Sequence, residues 1–183
     1  MIIGFTGKAG SGKSTACQMV QDMLEDTIRI NFKDALIAEI RQNFPLFLVM
    51  LADKYDESID WLFENKPPEF RAFMQNYGTE LRRGPNPEYW TEEWEESVLS
   101  RSQFHVVTDD VRFLNEAAMV KKHKGIVVRI VRTDITDTGS HSSETEMNQI
   151  EPDYTIEVAK GEHQKLKTIL SGILQDHLGS REI

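Results

Sequence analysis

Eight residues carry the strongest chemical signal in this chain: Gly7-Lys8-Ala9-Gly10-Ser11-Gly12-Lys13-Ser14, spaced as G-x-x-x-x-G-K-[ST]. Gly7, Gly10 and Gly12 permit a tight loop whose successive N–H groups point inward at phosphate oxygens. Lys13 is expected to reach the β- and γ-phosphates of a nucleoside triphosphate, and the Ser14 hydroxyl to complete the shell of a Mg²⁺ ion. Ala9, Ser11 and Thr15 fall within the same predicted cradle. Such a loop needs a strand before it and a helix after it, because the helix turns the positive end of its dipole toward the anion. Ile2 to Thr6 supplies the apolar strand, and Cys17, Val20, Met23 and Leu24 give the helix its apolar face.

Two further groups have chemistry to offer. The run Asp109-Asp110-Val111-Arg112 follows a predicted strand, Phe104 to Thr108. A carboxylate there can hold the Mg²⁺ shell, and an arginine can neutralise a second, accepting phosphate. Asp110 and Arg112 are the favoured pair, while Asp109 also suits a helix cap. Within and just past the next strand, Gly125 to Val131, come Arg129 and Arg132, placed to meet charge developing on a transferred group. The polar run after them contains His141 and Glu144. A closing lid over residues 132–149 is the expectation, since excluding water directs phosphate to an acceptor.

The elements that must position these groups follow from periodicity. Strands are predicted at Ile2 to Thr6, Thr27 to Phe32, Phe104 to Thr108, Gly125 to Val131 and Tyr154 to Val158. The near-continuous apolar character of the third and fourth indicates burial on both faces, as in a parallel sheet. Helices are predicted from about Arg112 to His123 and from about Glu162 to His177, the latter with Leu166, Ile169, Leu170, Ile173 and Leu174 on one face. The fold class is therefore α/β: a five-stranded parallel sheet with helices on both faces, whose ligands bind beyond the carboxyl ends of the strands.

Residues 33–102 are far more than a crossover needs, and are read as a helical, acceptor-binding insertion between strands two and three. Pro67-Pro68 opens a helix in which Phe70, Phe73, Met74, Tyr77 and Leu81 make an apolar stripe. Arg71, Gln75, Gly78 and Arg82 make a second stripe, which puts two arginines and an amide on one edge. Tyr77, Tyr89 and Trp90 are bulky enough to close around a sugar, although Tyr77 also suits the apolar stripe.

The 183 residues are read as one domain, 1–183, with 39% hydrophobic and 28% charged residues. A net charge of −9 argues against a polynucleotide partner. The single cysteine, Cys17, fits a reducing compartment and leaves no thiol chemistry to propose. The longest apolar run, Leu46 to Ala52, is too short to span a bilayer, and Met1-Ile2-Ile3 enters the first strand without a signal pattern. The expectation is a protein of the cytoplasm (the host's, if phage-encoded) with no membrane partner. A homodimer is one oligomeric option.

The chain resembles the phage-type deoxynucleoside monophosphate kinases, a branch of the P-loop nucleoside monophosphate kinases. The resemblance rests on Gly7 to Thr15, Phe32-Lys33-Asp34-Ala35-Leu36, Arg71-x-x-x-Gln75-x-x-Gly78-Thr79-Glu80 with Arg82-Arg83, Trp90, Asp110-Val111-Arg112-Phe113-x-Asn115-Glu116-Ala117, and His141-x-Ser143-Glu144. It implies transfer of the γ-phosphate of ATP, with Mg²⁺, to a small-molecule deoxynucleoside monophosphate. It further implies that Lys33, Asp34, Arg71, Gln75, Arg82, Trp90, Arg112, His141 and Glu144 serve the acceptor. Val158 stands where such chains often carry Asn after the last strand. Kinases for other small acceptors such as phosphomevalonate, and a slowly hydrolysing NTP switch, are the alternatives; no N-K-x-D-type guanine-reading run supports the switch.

Overall fold

The structure, a computed structural model, describes residues 1–134 and 142–179, the side chains of 142–145 excepted. Five strands form one sheet: β1 (Ile2–Thr6), β2 (Thr27–Arg29), β3 (His105–Thr108), β4 (Ile126–Arg132) and β5 (Tyr154–Val158). Their order is β2-β3-β1-β4-β5, and every neighbouring pair is parallel. The strand that leads into the phosphate loop therefore lies at the centre, flanked by the strands that lead to Asp109 and Arg132.

Alternation along β1 sets the two faces. Ile3 and Phe5 are buried in one core cluster with Ala16, Cys17 and Val20 of α1 (Lys13–Met23) and with Leu166, Leu170, Ile173 and Leu174 of α9 (His163–Leu178). Gly4 faces the other way. A Cβ there would come within 2.9 Å of Val111 and 3.1 Å of Val120, so glycine lets α7 (Leu114–Lys122) lie close on the sheet. α8 (Ser142–Gln149) precedes β5.

The chain divides into two compact units, one of Met1–Asn31 with Glu95–Ile183 and the other Phe32–Trp94. The second is helical: α2 (Phe32–Asn43), α3 (Pro45–Tyr55), α4 (Ile59–Asn65), α5 (Pro68–Gln75), a π-helical segment (Asn76–Arg83) and the first turns of α6 (Tyr89–Leu99). Its core gathers Ile40, Leu48, Leu51, Leu62, Phe63, Phe70 and Tyr77.

Two local expectations are corrected. β2 ends at Arg29, and Phe32 opens α2 instead of closing a strand, its ring stacked on Trp94 at 4.6 Å. An apolar residue serves either element, and Asp34 in the first turn favours the helix. Leu81, assigned to the apolar stripe, is 57% exposed. From Asn76 the backbone closes i→i+5 bonds, as in the 2.7 Å bond from the Gly84 N–H to the Thr79 carbonyl, so a stripe drawn at helical period slips off its face. Among the described residues, no single helix is long and apolar enough to cross a bilayer.

Candidate active site

The loop between β1 and α1 is shaped by its glycines. Gly7 has φ 137°, and a Cβ on it would sit 2.4 Å from the Ile130 carbonyl oxygen of β4, so no other residue fits beside that strand. Gly12 caps α1 from the left-handed region at φ 101°. Lys13 opens the helix and folds back. Its Nζ donates to the carbonyls of Gly7 at 2.6 Å and Lys8 at 2.7 Å, which holds the ammonium over the loop and away from the core. The Ser11 hydroxyl is buried in the loop with no hydrogen-bond partner among the described residues. A buried orphan of this kind is costly unless a ligand satisfies it, and it suits an anion cradled by the loop.

Ser14 and the end of β3 meet next to it. The Ser14 hydroxyl donates to Asp109 Oδ2 at 2.5 Å. Asn31 Oδ1 fixes Asp109 by accepting its backbone N–H at 3.0 Å. Arg29, the last residue of β2, donates from Nη2 to the Ser14 carbonyl at 3.0 Å and pairs through Nη1 with Asp109 Oδ2 at 3.5 Å. A hydroxyl and a buried carboxylate placed together at a phosphate loop form an oxygen donor set that suits Mg²⁺. Asp110, expected in that role, accepts through Oδ1 from the Thr108 hydroxyl at 2.8 Å. Just beyond, buried Glu116 accepts from the backbone N–H groups of Arg112 and Phe113 at 2.8 and 3.2 Å, which fixes the turn into α7 and leaves the Arg112 side chain exposed.

The two arginines of β4 part company. Arg132 Nη1 donates to the Gly10 carbonyl at 3.2 Å, which puts this guanidinium on the phosphate loop. Arg129 Nη2 donates to the carbonyls of Met147 at 3.1 Å and Ile150 at 2.5 Å. A cation at the last carbonyls of α8 caps that helix.

In the helical unit, Arg82 bonds through Nη2 to Glu39 and, at 2.8 Å, to the Tyr77 hydroxyl. Its guanidinium carbon lies 5.1 Å from the Tyr77 ring centre and 5.3 Å from that of Tyr89. The Glu39 carboxylate holds the Arg82 pKa above its ordinary value, so the arginine stays charged. Its Nε is buried without a partner. Trp90 is 4% exposed and donates its indole N–H to the Gly78 carbonyl at 2.9 Å. Arg71 and Gln75 are exposed on α5, as are Lys33 and Asp34 in the first turn of α2. His141, the Glu144 side chain and most of the expected lid lie outside the described residues.

Sequence reasoning missed Arg29, Asn31 and Glu39. Arg29 ends a three-residue strand and Asn31 lies two residues past it, and only the sheet order, which sets β2 beside β3, brings them to Asp109.

No family model matches the chain. It is 31% identical over 170 residues to a protein of Acanthamoeba polyphaga mimivirus named "Putative deoxynucleotide monophosphate kinase", with 82% of this chain and 83% of that one covered. Among solved structures it is similar to TT1252 from Thermus thermophilus, with a TM-score of 0.53, 17% identity and 98% of both chains covered. It is also similar to shikimate kinase from Aquifex aeolicus, with a TM-score of 0.51, 18% identity, and 98% of this chain and 99% of that one covered. At those identities the likeness is one of fold, the P-loop kinase fold.

Proposed function

This chain belongs to the deoxynucleotide monophosphate kinase family of P-loop kinases, and from that membership we propose that it transfers the γ-phosphate of ATP to a 2′-deoxynucleoside 5′-monophosphate, giving the diphosphate and ADP. The observation that carries the reading is the Ser14 hydroxyl on Asp109, beside a loop whose lysine is folded over its own carbonyls. Kinases of this kind spend their binding groups on positioning and charge neutralisation, because an accepting phosphate needs no strong protein base.

Lys13 exchanges the carbonyls of Gly7 and Lys8 for donor phosphate oxygens, and Ser11 satisfies its buried hydroxyl on the same anion. Ser14 and Asp109 would hold Mg²⁺, which would supply neutralisation of phosphate charge. Arg29 keeps Asp109 oriented from the side. Arg132 answers charge on the transferred group from its place at Gly10. Arg82 binds the acceptor phosphate, supported by the two tyrosine rings on which it lies and by its unpartnered Nε. Arg71, Gln75 and Arg112, all exposed, are assigned to the same acceptor.

The test is a coupled assay of ATP-dependent diphosphate formation over each deoxy- and ribonucleoside monophosphate. The expected result is a set of deoxynucleotide substrates, with Arg82→Ala lowering kcat/KM for them at least roughly tenfold, the worth of one charge-assisted hydrogen bond, while ATP affinity holds. ADP formation indifferent to every added monophosphate would overturn the reading.

A further inference from the structure

Arg132 reaches the phosphate loop with only one corner of its guanidinium. Nη1 donates to the Gly10 carbonyl at 3.2 Å, while Nε and Nη2 are both taken by Asp134, at 2.7 Å to Oδ1 and 2.7 Å to Oδ2. This is a parallel two-bond clasp between planar groups, which fixes orientation as well as distance. The clasp is itself anchored. Asp134 Oδ1 also accepts the backbone N–H of Lys160 at 3.2 Å, in the turn that follows β5, and the Thr133 N–H donates to the Val158 carbonyl at 3.1 Å. The carboxylate two residues past the end of β4 is thus tied to the neighbouring strand's exit and holds Arg132 toward the nucleotide loop.

We propose that Asp134 is a positioning residue for phosphoryl transfer, holding Arg132 by its Nε–Nη2 edge so that Nη1 is presented to the phosphate loop before any nucleotide arrives. The inference rests on the reading of Arg132 given above and adds the residue through which that arginine acts. A long arginine side chain left to itself samples many rotamers, and the freedom lost on meeting the transferred group would then be charged to the reaction step. Clasped, the guanidinium gives up one bond to Gly10 and gains one to a phosphate oxygen, with no reorientation. Asp134 touches neither reactant. The clasp persists across the working pH range. Arg132 holds the Asp134 pKa down at about 2, below its ordinary 3.8, so the carboxylate contributes fully above the higher value and loses its hold only as pH falls through the lower one.

The experiment uses the full-length protein with Asp134→Asn, Arg132→Ala and the double variant, measuring kcat with the best monophosphate acceptor, the dissociation constant of ATP, and Tm. Asp134→Asn is expected to lower kcat about tenfold, with ATP affinity within about twofold of wild type and the shape of the kcat profile above pH 5 unchanged. Asp134→Glu, which keeps the charge and the two-oxygen edge, is expected to recover part of the loss. In the Arg132→Ala background, Asp134→Asn is expected to cost nothing more. A fall in Tm and ATP affinity that accounts for the whole loss would overturn the proposal in favour of a purely structural tie. So would a wild-type kcat in Asp134→Asn while Arg132→Ala is slow. Were Arg132→Ala itself to turn over normally, the reading of Arg132 beneath the proposal would fall first, a result the other variants cannot imitate.

Discussion

Replacing Asp109 by Asn tests the Mg²⁺ assignment with the least disturbance, since the side chain keeps its shape and its oxygen can still accept from Ser14. What it loses is charge, at a place where charge counts. The Asp109 side chain is only 6% exposed, lies 2.5 Å from the Ser14 hydroxyl, and is balanced on its other side by Arg29 at 3.5 Å. Converting a charge-assisted interaction to a neutral one in such a site forfeits about 1.5–3 kcal/mol, which at about 1.4 kcal/mol per decade weakens the metal roughly 10- to 100-fold. The half-saturating Mg²⁺ concentration for kcat, measured at fixed ATP, should rise by that factor. Direct titration of Mn²⁺ followed by its paramagnetic resonance should show the same shift. Asp110→Asn is the control. Asp110 accepts from Thr108 at 2.8 Å, so its loss should be felt in Tm and not in metal dependence. If Asp110→Asn raised the Mg²⁺ requirement and Asp109→Asn did not, the geometric argument for Asp109 would be refuted.

Three other outcomes follow from named contacts. Lys13→Met should abolish turnover with Tm nearly unchanged, because Nζ bonds the loop's own carbonyls at Gly7 and Lys8 and belongs to neither hydrophobic core cluster; near-native turnover would remove the donor assignment. Arg129→Ala should lower stability by roughly 1.5–3 kcal/mol as the Met147 and Ile150 carbonyls lose their donor, while ATP affinity stays put; a selective loss of ATP binding at unchanged Tm would return Arg129 to the nucleotide. Trp90→Phe should cost about 1–3 kcal/mol by leaving the Gly78 carbonyl without its indole partner, with the ratio of deoxy to ribo substrate use unaltered; a changed ratio at unchanged Tm would put Trp90 back against the sugar.

The parts of the site that were legible in the sequence are those whose partners are neighbours along the chain. The phosphate loop is eight consecutive residues, and Gly7, Lys13 and Ser14 stand in the structure where local spacing alone would put them. The parallel sheet was legible for a related reason, since burial on both faces leaves apolar runs such as Ile126 to Val128 that no surface strand would carry. Arg29 was not legible. A lone arginine at the end of a three-residue strand belongs to no pattern, and its meeting with Asp109 depends on β2 lying beside β3, a fact of topology. Glu39 was hidden in the same way, being separated from Arg82 by the whole of α3, α4 and α5.

A periodicity argument carries direction along the chain only while the period holds. β3 ends at Thr108 and the chain bends at Asp109, so strand alternation no longer applies, and nothing in two adjacent identical acids marks which one turns toward Ser14. Along α5 the period is 3.6 until Asn76, where the backbone takes up i→i+5 bonding. The apolar stripe drawn through Phe70, Phe73 and Tyr77 holds as far as the change and fails just beyond it, at Leu81. Arg82 lies past the same change, so its meeting with Glu39, Tyr77 and Tyr89 is a property of the π-helical path and not of the stripe that first drew attention to it. A variant that restored α-helical bonding there, by deleting one residue between Asn76 and Thr79, would rotate Arg82 away from Glu39 while leaving its sequence context almost unchanged. Under the proposed function that deletion should raise KM for the monophosphate and leave the affinity of the phosphate loop for ATP intact. A deletion that left acceptor KM unchanged would show that Arg82 does not depend on the π-helical path for its role.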